Sequence, residues 1–434
     1  MSFLYITIIA IVASIVLILA GVPIAFAIGA TSVGAILIGI GTQPLARLGI
    51  LPYSSFYSMG WLPLVLFMLM ACIIGETAIG EDIFNAANKW LSFVPGGLLV
   101  ASVVGEALMA STMGSSGTTL LTVGTIVDPE VRRLKYHREF SLSALIAGGV
   151  LGPLIPPSTN FIIYANSAQC SVSQLFLAGI LPGILLVVML AGYIIITCKR
   201  HPEYAPLPVE VTWKERFQSL RRVWPVLVLM IAIIGGIFIG AVTATEAGAL
   251  GVVITLIIAV AAYGFRFKNL VSAIGKAASL TGMILVMVLA VNCFTYIVAV
   301  SGLSDALSTF VKGLNVAPIV IVFVINIILL ILGCMLDSLA ILLITTPLFV
   351  PVITALGYSP IWFGVLVCVN LEIGLITPPV GLNLFMVTGT FKTDAGKLIK
   401  AVFPFIVLLI VYLAILIVFP QISLWLPGLS HATA

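Results

Sequence analysis

Continuous apolar runs of about 20 residues recur from one end of the chain to the other, and they constrain the fold more than any other feature. A run of this length matches the hydrocarbon core of a bilayer, where a helix satisfies its own backbone hydrogen bonds. Only 8% of the 434 residues are charged, and the runs lack the alternation of apolar and polar residues typical of membrane β-barrels. The sequence therefore predicts an all-α polytopic membrane protein.

Two apolar regions are interrupted near their centres by small and polar residues. Region 97–127 contains "MGSSGTT" at 113–119, and region 318–350 contains "GCMLDS" at 333–338. Each half is too short to cross a bilayer comfortably, so we expect two re-entrant helical hairpins. Elsewhere we expect about ten crossings, at 3–20, 22–40, 61–79, 140–165, 174–197, 224–240, 245–264, 280–300, 361–387 and 401–420.

The second half of the chain repeats the first with a shift of 222 residues. The shift aligns small and turn-forming residues: Gly60 with Gly282, Ser116 with Ser338, and Pro129 with Pro351. It also aligns "GPLIPP" at 152–157 with "GLITPP" at 374–379, so each repeat contains a helix broken by adjacent prolines. We predict a first repeat at 1–197 with its broken helix at 140–165, a linker at 198–223, and a second repeat at 224–434 with its broken helix at 361–387.

The distribution of basic residues indicates that the repeats are inverted. Segment 128–139, after the first hairpin, carries four Lys/Arg, whereas the equivalent segment 350–361 carries none. By the positive-inside rule, the first segment and the linker are cytoplasmic and the second segment is external. We therefore expect both termini on the periplasmic side and one hairpin entering from each face, as in secondary transporters.

The proline pairs predict two cation sites. A proline pair removes helical hydrogen bonds, and the freed carbonyl oxygens are suitable ligands for a small cation. Neither six-residue break contains a carboxylate, which favours Na⁺ over a proton, although a proton relay through another acid stays open. The expected ligands are Ser111, Gly114, Gly152, Ile155 and Pro157 in the first repeat, and Gly333, Gly374, Thr377 and Val380 in the second.

The ends of the interrupted helices predict a substrate site between the two hairpin tips. Helix amino ends present free N–H groups and positive dipole ends, which suits an anionic organic substrate. The candidate hydrogen-bonding residues are Ser115, Ser116, Thr159, Asn160, Ser338 and Asn383.

Five acids lie within apolar segments: Glu76, Glu106, Glu246, Asp337 and Glu372. An ionisable residue inside a membrane is a functional candidate by default. Asp337 lies at the second hairpin tip beside Ser338, so we assign it to the substrate site. For the other four, pairing with backbone at a hairpin or helix end is at least as good an interpretation.

An intramembrane serine protease is a poorer interpretation of "GSSG" at 114–117. Such an enzyme needs a general base within hydrogen-bonding distance of its serine. The three histidines, His137, His201 and His431, all lie in polar stretches outside the apolar runs. We therefore expect a transporter and no enzymatic activity.

The motifs "GPLIPPS" after the first hairpin and "GLITPPVGLN" after the second, with "GVPIAFAIG" from Gly21, resemble the large membrane subunit of tripartite ATP-independent periplasmic (TRAP) transporters. The resemblance covers nearly the whole chain. It implies an elevator-type symporter of the bacterial inner membrane, coupled to Na⁺ at the two breaks, with an organic acid bound between the hairpin tips. It also implies two partners, a soluble periplasmic substrate-binding protein and a separate small four-helix membrane subunit.

A stand-alone Na⁺- or H⁺-coupled organic anion symporter, without a binding protein, is the alternative. The substrate stays open among dicarboxylates, sialic acids, sugar acids and keto acids, because neutral site residues do not select among them.

Overall fold

A computed structural model describes residues 3–46, 48–50, 59–113, 116–206, 211–314 and 316–430. The first half of the chain forms α1 (Phe3–Leu19), α2 (Ile24–Gly39), α3 (Leu62–Gly75), α4 (Ile79–Leu91), α5 (Gly97–Met113), α6 (Ser116–Arg133), α7 (Arg138–Gly148), α8 (Thr159–Ala168) and α9 (Val172–Arg200). The second half forms α10 (Trp213–Phe238), α11 (Ala244–Tyr263), α12 (Phe267–Ser301), α13 (Leu303–Gly313), α14 (Pro318–Gly333), α15 (Ser338–Ala355), α16 (Pro360–Ile376), α17 (Leu382–Phe391), α18 (Ala395–Val418) and α19 (Gln421–Leu429).

Six helices among the described residues are long and apolar enough to cross a bilayer, namely α9, α10, α11, α12, α15 and α18. Helices α3 and α4 form a seventh span if they are counted as one, although they meet at a bend of 74°. Shorter apolar helices include α1, α2, α14, α16 and α17. The predicted all-α polytopic fold is confirmed.

The proline pairs interrupt helices in both halves of the chain. Residues Gly149–Leu151 form a short 3-10 turn after α7, and α8 begins only at Thr159. In the second half, α16 ends at Ile376 and α17 begins at Leu382. Both proline pairs, Pro156-Pro157 and Pro378-Pro379, are joined by cis peptide bonds. Each broken stretch is therefore flanked by two helices that are too short to span the membrane alone.

Side chains at the centre of the protein connect the two halves. The Tyr164 hydroxyl on α8 donates to the carbonyl of Pro360 at 2.7 Å, and the Tyr412 hydroxyl on α18 donates to the carbonyl of Pro182 at 2.8 Å. The ring of Tyr164 also lies against Gly364, where an added Cβ would be 2.5 Å from its Cε1 atom. These buried contacts hold α8, α9, α16 and α18 in one packed bundle around the breaks.

Several boundaries differ from the sequence prediction. Helix α10 begins at Trp213, inside the expected linker, because Thr212 and Glu215 form a capping box that starts the helix there. Helix α12 begins at Phe267, before the expected crossing at 280–300, so Lys268 and Lys276 belong to the same helix as the apolar part. Charged residues lower the hydropathy of a helix end without preventing helix formation.

Candidate functional site

A cavity of about 760 Å³ lies where the hairpins and the broken helices meet. One side is formed by the ends of interrupted helices, with Ser116 of α6, Asn160 of α8, Ser338 of α15 and Asn383 of α17. The opposite wall is formed by α3 and α12, through Met68, Ala71, Cys72, Gly75, Lys276, Ser279, Leu280, Met283 and Ile284. The fold thus brings residues from distant parts of the sequence to one cavity.

Helix amino ends converge on this cavity. Thr159, Ser338 and Leu382 are the first residues of α8, α15 and α17, and all three line it. Ser116, where the described part of α6 begins, lines it as well. The positive dipole ends of these helices favour a negatively charged ligand.

The structure places nearly all the predicted substrate residues at the cavity. Ser116, Thr159, Asn160, Asp337, Ser338 and Asn383 line it, whereas Ser115 lies outside the described residues. The Asn383 side-chain N–H donates to the Ser116 hydroxyl oxygen at 3.3 Å, and both residues are buried. This contact joins the second broken helix to the first hairpin, so the site is shared between the repeats.

Asp337 has a structural role in addition to lining the cavity. Its carboxylate accepts a hydrogen bond from the Leu339 N–H at 3.1 Å and caps the amino end of α15. An acidic cap is favourable at a helix amino end. The same side chain therefore caps the helix at the second hairpin tip and places a carboxyl group in the cavity.

Glu372 is a cavity residue that the sequence analysis did not select. It lies on α16, two residues before Gly374, and it is 1% exposed. Its carboxylate lies beside the Ser116 side chain, although neither oxygen accepts a hydrogen bond of normal geometry from the described residues. Its position directly before the second break was the available sequence signal. The breaks themselves contain neutral oxygens, but the cavity contains the carboxylates of Asp337 and Glu372.

Glycines in the predicted ion ligand sets bring the breaks into backbone contact with the hairpins. A Cβ on Gly152 would lie 2.9 Å from the Cα of Ser116, and a Cβ on Gly374 would lie 2.5 Å from the Cα of Gly333. Pro156 and Pro378 lie four residues after these two glycines, so neither can donate the usual helical hydrogen bond to the glycine carbonyl. The Gly374 carbonyl instead accepts from the Thr377 N–H at 3.0 Å.

The other predicted ion ligands have varied surroundings. Pro157 is buried, Ile155 is half-buried against Gly183, and Val380 is at the surface. The Thr377 hydroxyl donates to the Ile373 carbonyl at 2.6 Å. The side chain of Ser111 and all of Gly114 lie outside the described residues. Within the described ranges there is no group of three or more His, Cys, Asp or Glu residues that could hold a metal ion.

The other three acids within apolar segments, Glu76, Glu106 and Glu246, differ in their hydrogen bonding. Glu246 closes a capping box with Thr243 at the start of α11. Glu76 pairs instead with a side chain on another helix, since its Oε1 lies 2.6 Å from Nζ of Lys276 and also accepts from Ser272 at 2.9 Å. Glu106 is fully buried beside Gly148, and neither of its oxygens has a hydrogen-bond partner among the described residues.

Lys276 is the single basic residue among those that line the cavity in the described part of the chain. It lies on α12, in the wall opposite the hairpin tips, and its side chain is 61% exposed. Its ion pair with Glu76 joins α3 to α12. The wall therefore contains a basic group, whereas the hairpin side contains the carboxyl groups of Asp337 and Glu372.

Comparisons with known proteins give a consistent set of relatives. The family model described as "Tripartite ATP-independent periplasmic transporter, DctM component" matches residues 11–422. The chain is 34% identical to the C4-dicarboxylate TRAP transporter large permease protein DctM of Pseudomonas aeruginosa, over 83% of this chain and 84% of that protein. It is 33% identical to the sialic acid TRAP transporter large permease protein SiaM of Vibrio cholerae, over 84% and 85% respectively.

A solved structure shares the fold. The crystal structure of the Alcanivorax borkumensis YdaH transporter superimposes with a TM-score of 0.63, covering 87% of this chain and 88% of that one. The two sequences are 15% identical, so the similarity concerns the architecture alone.

Proposed function

Because this chain belongs to the DctM family of tripartite ATP-independent periplasmic transporters, we propose that it couples the entry of Na⁺ to the uptake of an organic acid anion. The observation that carries the proposal is the convergence of helix amino ends from both repeats on one cavity. The positive dipole ends of these helices suit a carboxylate. Two relatives are named for C4-dicarboxylate and for sialic acid, which are both organic acids.

Charge in the cavity supports cation coupling. When Asp337 and Glu372 are ionised, their carboxylates repel an anionic substrate that binds near them unless a cation binds as well. The Gly152 carbonyl oxygen, without its usual helical donor, and the second lone pair of the Gly374 carbonyl oxygen, which already accepts from the Thr377 N–H, can serve such an ion. In this scheme Na⁺ neutralises the site and substrate binding follows, so neither ligand crosses efficiently without the other.

The division of the cavity supports an elevator mechanism. The hairpins and broken helices form one side, and α3 with α12 form the other. In our proposal the hairpin side moves across the membrane with its ligands while the α3 and α12 wall stays in place. The protein would then lie in a bacterial inner membrane, with both termini on the periplasmic side.

The family further supports a tripartite assembly. We propose that a soluble periplasmic protein delivers the substrate and that a separate small membrane subunit binds this chain. A single reconstitution tests coupling and delivery together. Purified protein with the small subunit is placed in proteoliposomes, and uptake of a labelled acid is measured with and without the binding protein, in Na⁺ and in choline at constant pH.

The expected result is uptake that requires both Na⁺ and the binding protein. Equal uptake in choline would refute Na⁺ coupling, and a dependence on an imposed pH gradient instead would favour proton coupling through Asp337 or Glu372. Full activity of the lone chain would support the stand-alone symporter. A thermal-shift screen of the binding protein against organic acids identifies the acid to label.

A further inference from the structure

A cluster of aromatic and basic side chains, some exposed and some half-buried, lies at the start of α10, away from the cavity. We call it the aromatic–basic surface, and it consists of Lys89, Trp90, Phe93, Trp213, Lys214, Arg216, Phe217 and Arg221. Trp213 is 65% exposed and Phe217 is 61% exposed. Large aromatic side chains so open to the surroundings are unusual at the polar end of a helix, unless something covers them.

Packing fixes the aromatic part of this surface. The Trp90 indole N–H donates to the Arg216 carbonyl at 3.1 Å, and its ring meets those of Trp213 and Phe217 edge to face, at 6.4 and 5.7 Å between centroids. The Arg216 guanidinium lies over the rings of Phe93 and Trp213, at 5.1 and 4.9 Å from their centroids. The rings are thus held in place, while their outer faces stay exposed.

The basic residues of the surface are largely uncompensated. Lys214 and Arg221 are exposed and form no ion pair within the part of the chain that the structure describes. Of the acids nearby, Asp82 is engaged by Arg222 and by the Tyr263 hydroxyl. Glu215 is engaged by the Thr212 cap of α10. Glu81 is exposed at the start of α4.

The length of α10 places this surface at the level of lipid headgroups. A helix of 26 residues is about 39 Å long, whereas the hydrocarbon core of a bilayer is about 30 Å thick. The apolar part from Val223 to Phe238 fills most of that core. The first ten residues, with all the charges, then lie among the headgroups, where tryptophan side chains are enriched and basic residues meet lipid phosphates.

The helix of the second repeat that corresponds to α4 has no such cluster. Helix α13, which corresponds to α4, contains Lys312 and Asp305 as its charged residues and Phe310 as its exposed aromatic. It contains no tryptophan. The aromatic–basic surface is therefore not a general requirement of the inverted fold.

We propose that the aromatic–basic surface binds anionic phospholipids, with Lys214, Arg216 and Arg221 at the headgroup phosphates and Trp213 and Phe217 inserted beside the glycerol backbones. The positive charge of this surface favours an anionic lipid over a neutral lipid. The aromatic rings favour an amphipathic ligand over a free phosphate ion. The bound lipids would fix the depth of α10 and, through the Trp90 contact, of α4. This proposal does not depend on the transported substrate.

Lipid retention by the purified full-length protein tests the proposal. The protein in mild detergent is mixed with equal amounts of phosphatidylglycerol and phosphatidylcholine, and native mass spectrometry counts the retained lipids. The wild type is expected to prefer phosphatidylglycerol. Because each basic residue near an anionic surface contributes roughly fivefold, Lys214→Gln with Arg221→Gln should lower this preference by about 25-fold. High ionic strength should lower the preference for phosphatidylglycerol in the wild type, and the difference between wild type and variant should then be smaller.

The matched control is Lys397→Gln with Lys400→Gln, which removes two exposed charges near the start of α18 without an aromatic cluster. It should retain the wild-type preference. An unchanged preference in the Lys214 and Arg221 variant, an equal loss in the control, or displacement of the lipid by inorganic phosphate would each overturn the proposal. So would co-purification of a small membrane protein that Trp213→Ala with Phe217→Ala abolishes while lipid preference is unchanged.

Discussion

The side chain of Asp337 combines a helix cap with a charge in the cavity, and the two roles can be separated. Asparagine caps a helix about as well as aspartate, so Asp337→Asn should change the free energy of unfolding by less than about 1 kcal/mol. Loss of the charge should lower substrate uptake by at least about tenfold, since one displaced charge interaction of this kind is worth at least about 1.4 kcal/mol. Uptake into proteoliposomes and thermal unfolding of the same preparation measure both quantities.

Asp394 provides the control for this change. It caps α18 through the Lys397 N–H at 2.8 Å but does not line the cavity. Asp394→Asn should therefore leave uptake and stability close to wild type. Wild-type uptake by Asp337→Asn would remove Asp337 from the site.

Glu372 yields a second prediction at the same scale. Glu372→Gln keeps the shape of a buried side chain without hydrogen-bond partners, so thermal stability should be unchanged or higher. Uptake should fall, because the cavity loses a carboxyl group that can bind a cation or carry a proton. Glu106→Gln is the comparison, since Glu106 is equally buried but lies outside the cavity, and it should keep its uptake. Parallel losses of uptake in both variants would contradict a specific role for Glu372.

At the scale of helices, backbone contact between a break and its hairpin should be sensitive to a single methyl group. Gly374→Ala places a Cβ 2.5 Å from the backbone of Gly333, so it should destabilise the protein by about 1–3 kcal/mol and reduce uptake. Gly389→Ala, on neighbouring α17, meets no atom within 4 Å and should be neutral or slightly stabilising. Thermal unfolding of the two variants tests this prediction. Equal melting temperatures would argue against close backbone contact between Gly374 and Gly333.

The interrupted helices were predictable because prolines and glycines act locally. Pro156 and Pro378 remove a donor wherever they stand, so the breaks follow from the sequence itself. The pairing of Glu76 with Lys276 was not predictable, because it joins residues 200 positions apart and depends on how α3 packs against α12. The sequence pointed to Asp337 at a tip, whereas the position of Glu372 directly before the second break was a weaker signal, because its contact with the cavity depends on how α16 packs against the first hairpin.

At the scale of the whole molecule, the inverted arrangement predicts that equivalent positions lie on opposite sides of the membrane. Arg132 and Thr354 correspond under the 222-residue shift, and both are exposed. After replacement of the native cysteines, Arg132→Cys should react with a membrane-impermeant maleimide only from the cytoplasmic side, and Thr354→Cys only from the periplasmic side. Labelling of intact and of inverted vesicles measures this. Reaction of both from one side would refute the inversion.

The contacts of Gly152 with Ser116 and of Gly374 with Gly333 have a mechanical consequence. Main chain rests on main chain, with no side chain between them that could change rotamer and absorb a displacement. Each broken helix and the hairpin beside it should therefore move together as one rigid unit. Any bending during transport is then expected in the segments that connect these rigid units to the rest of the protein.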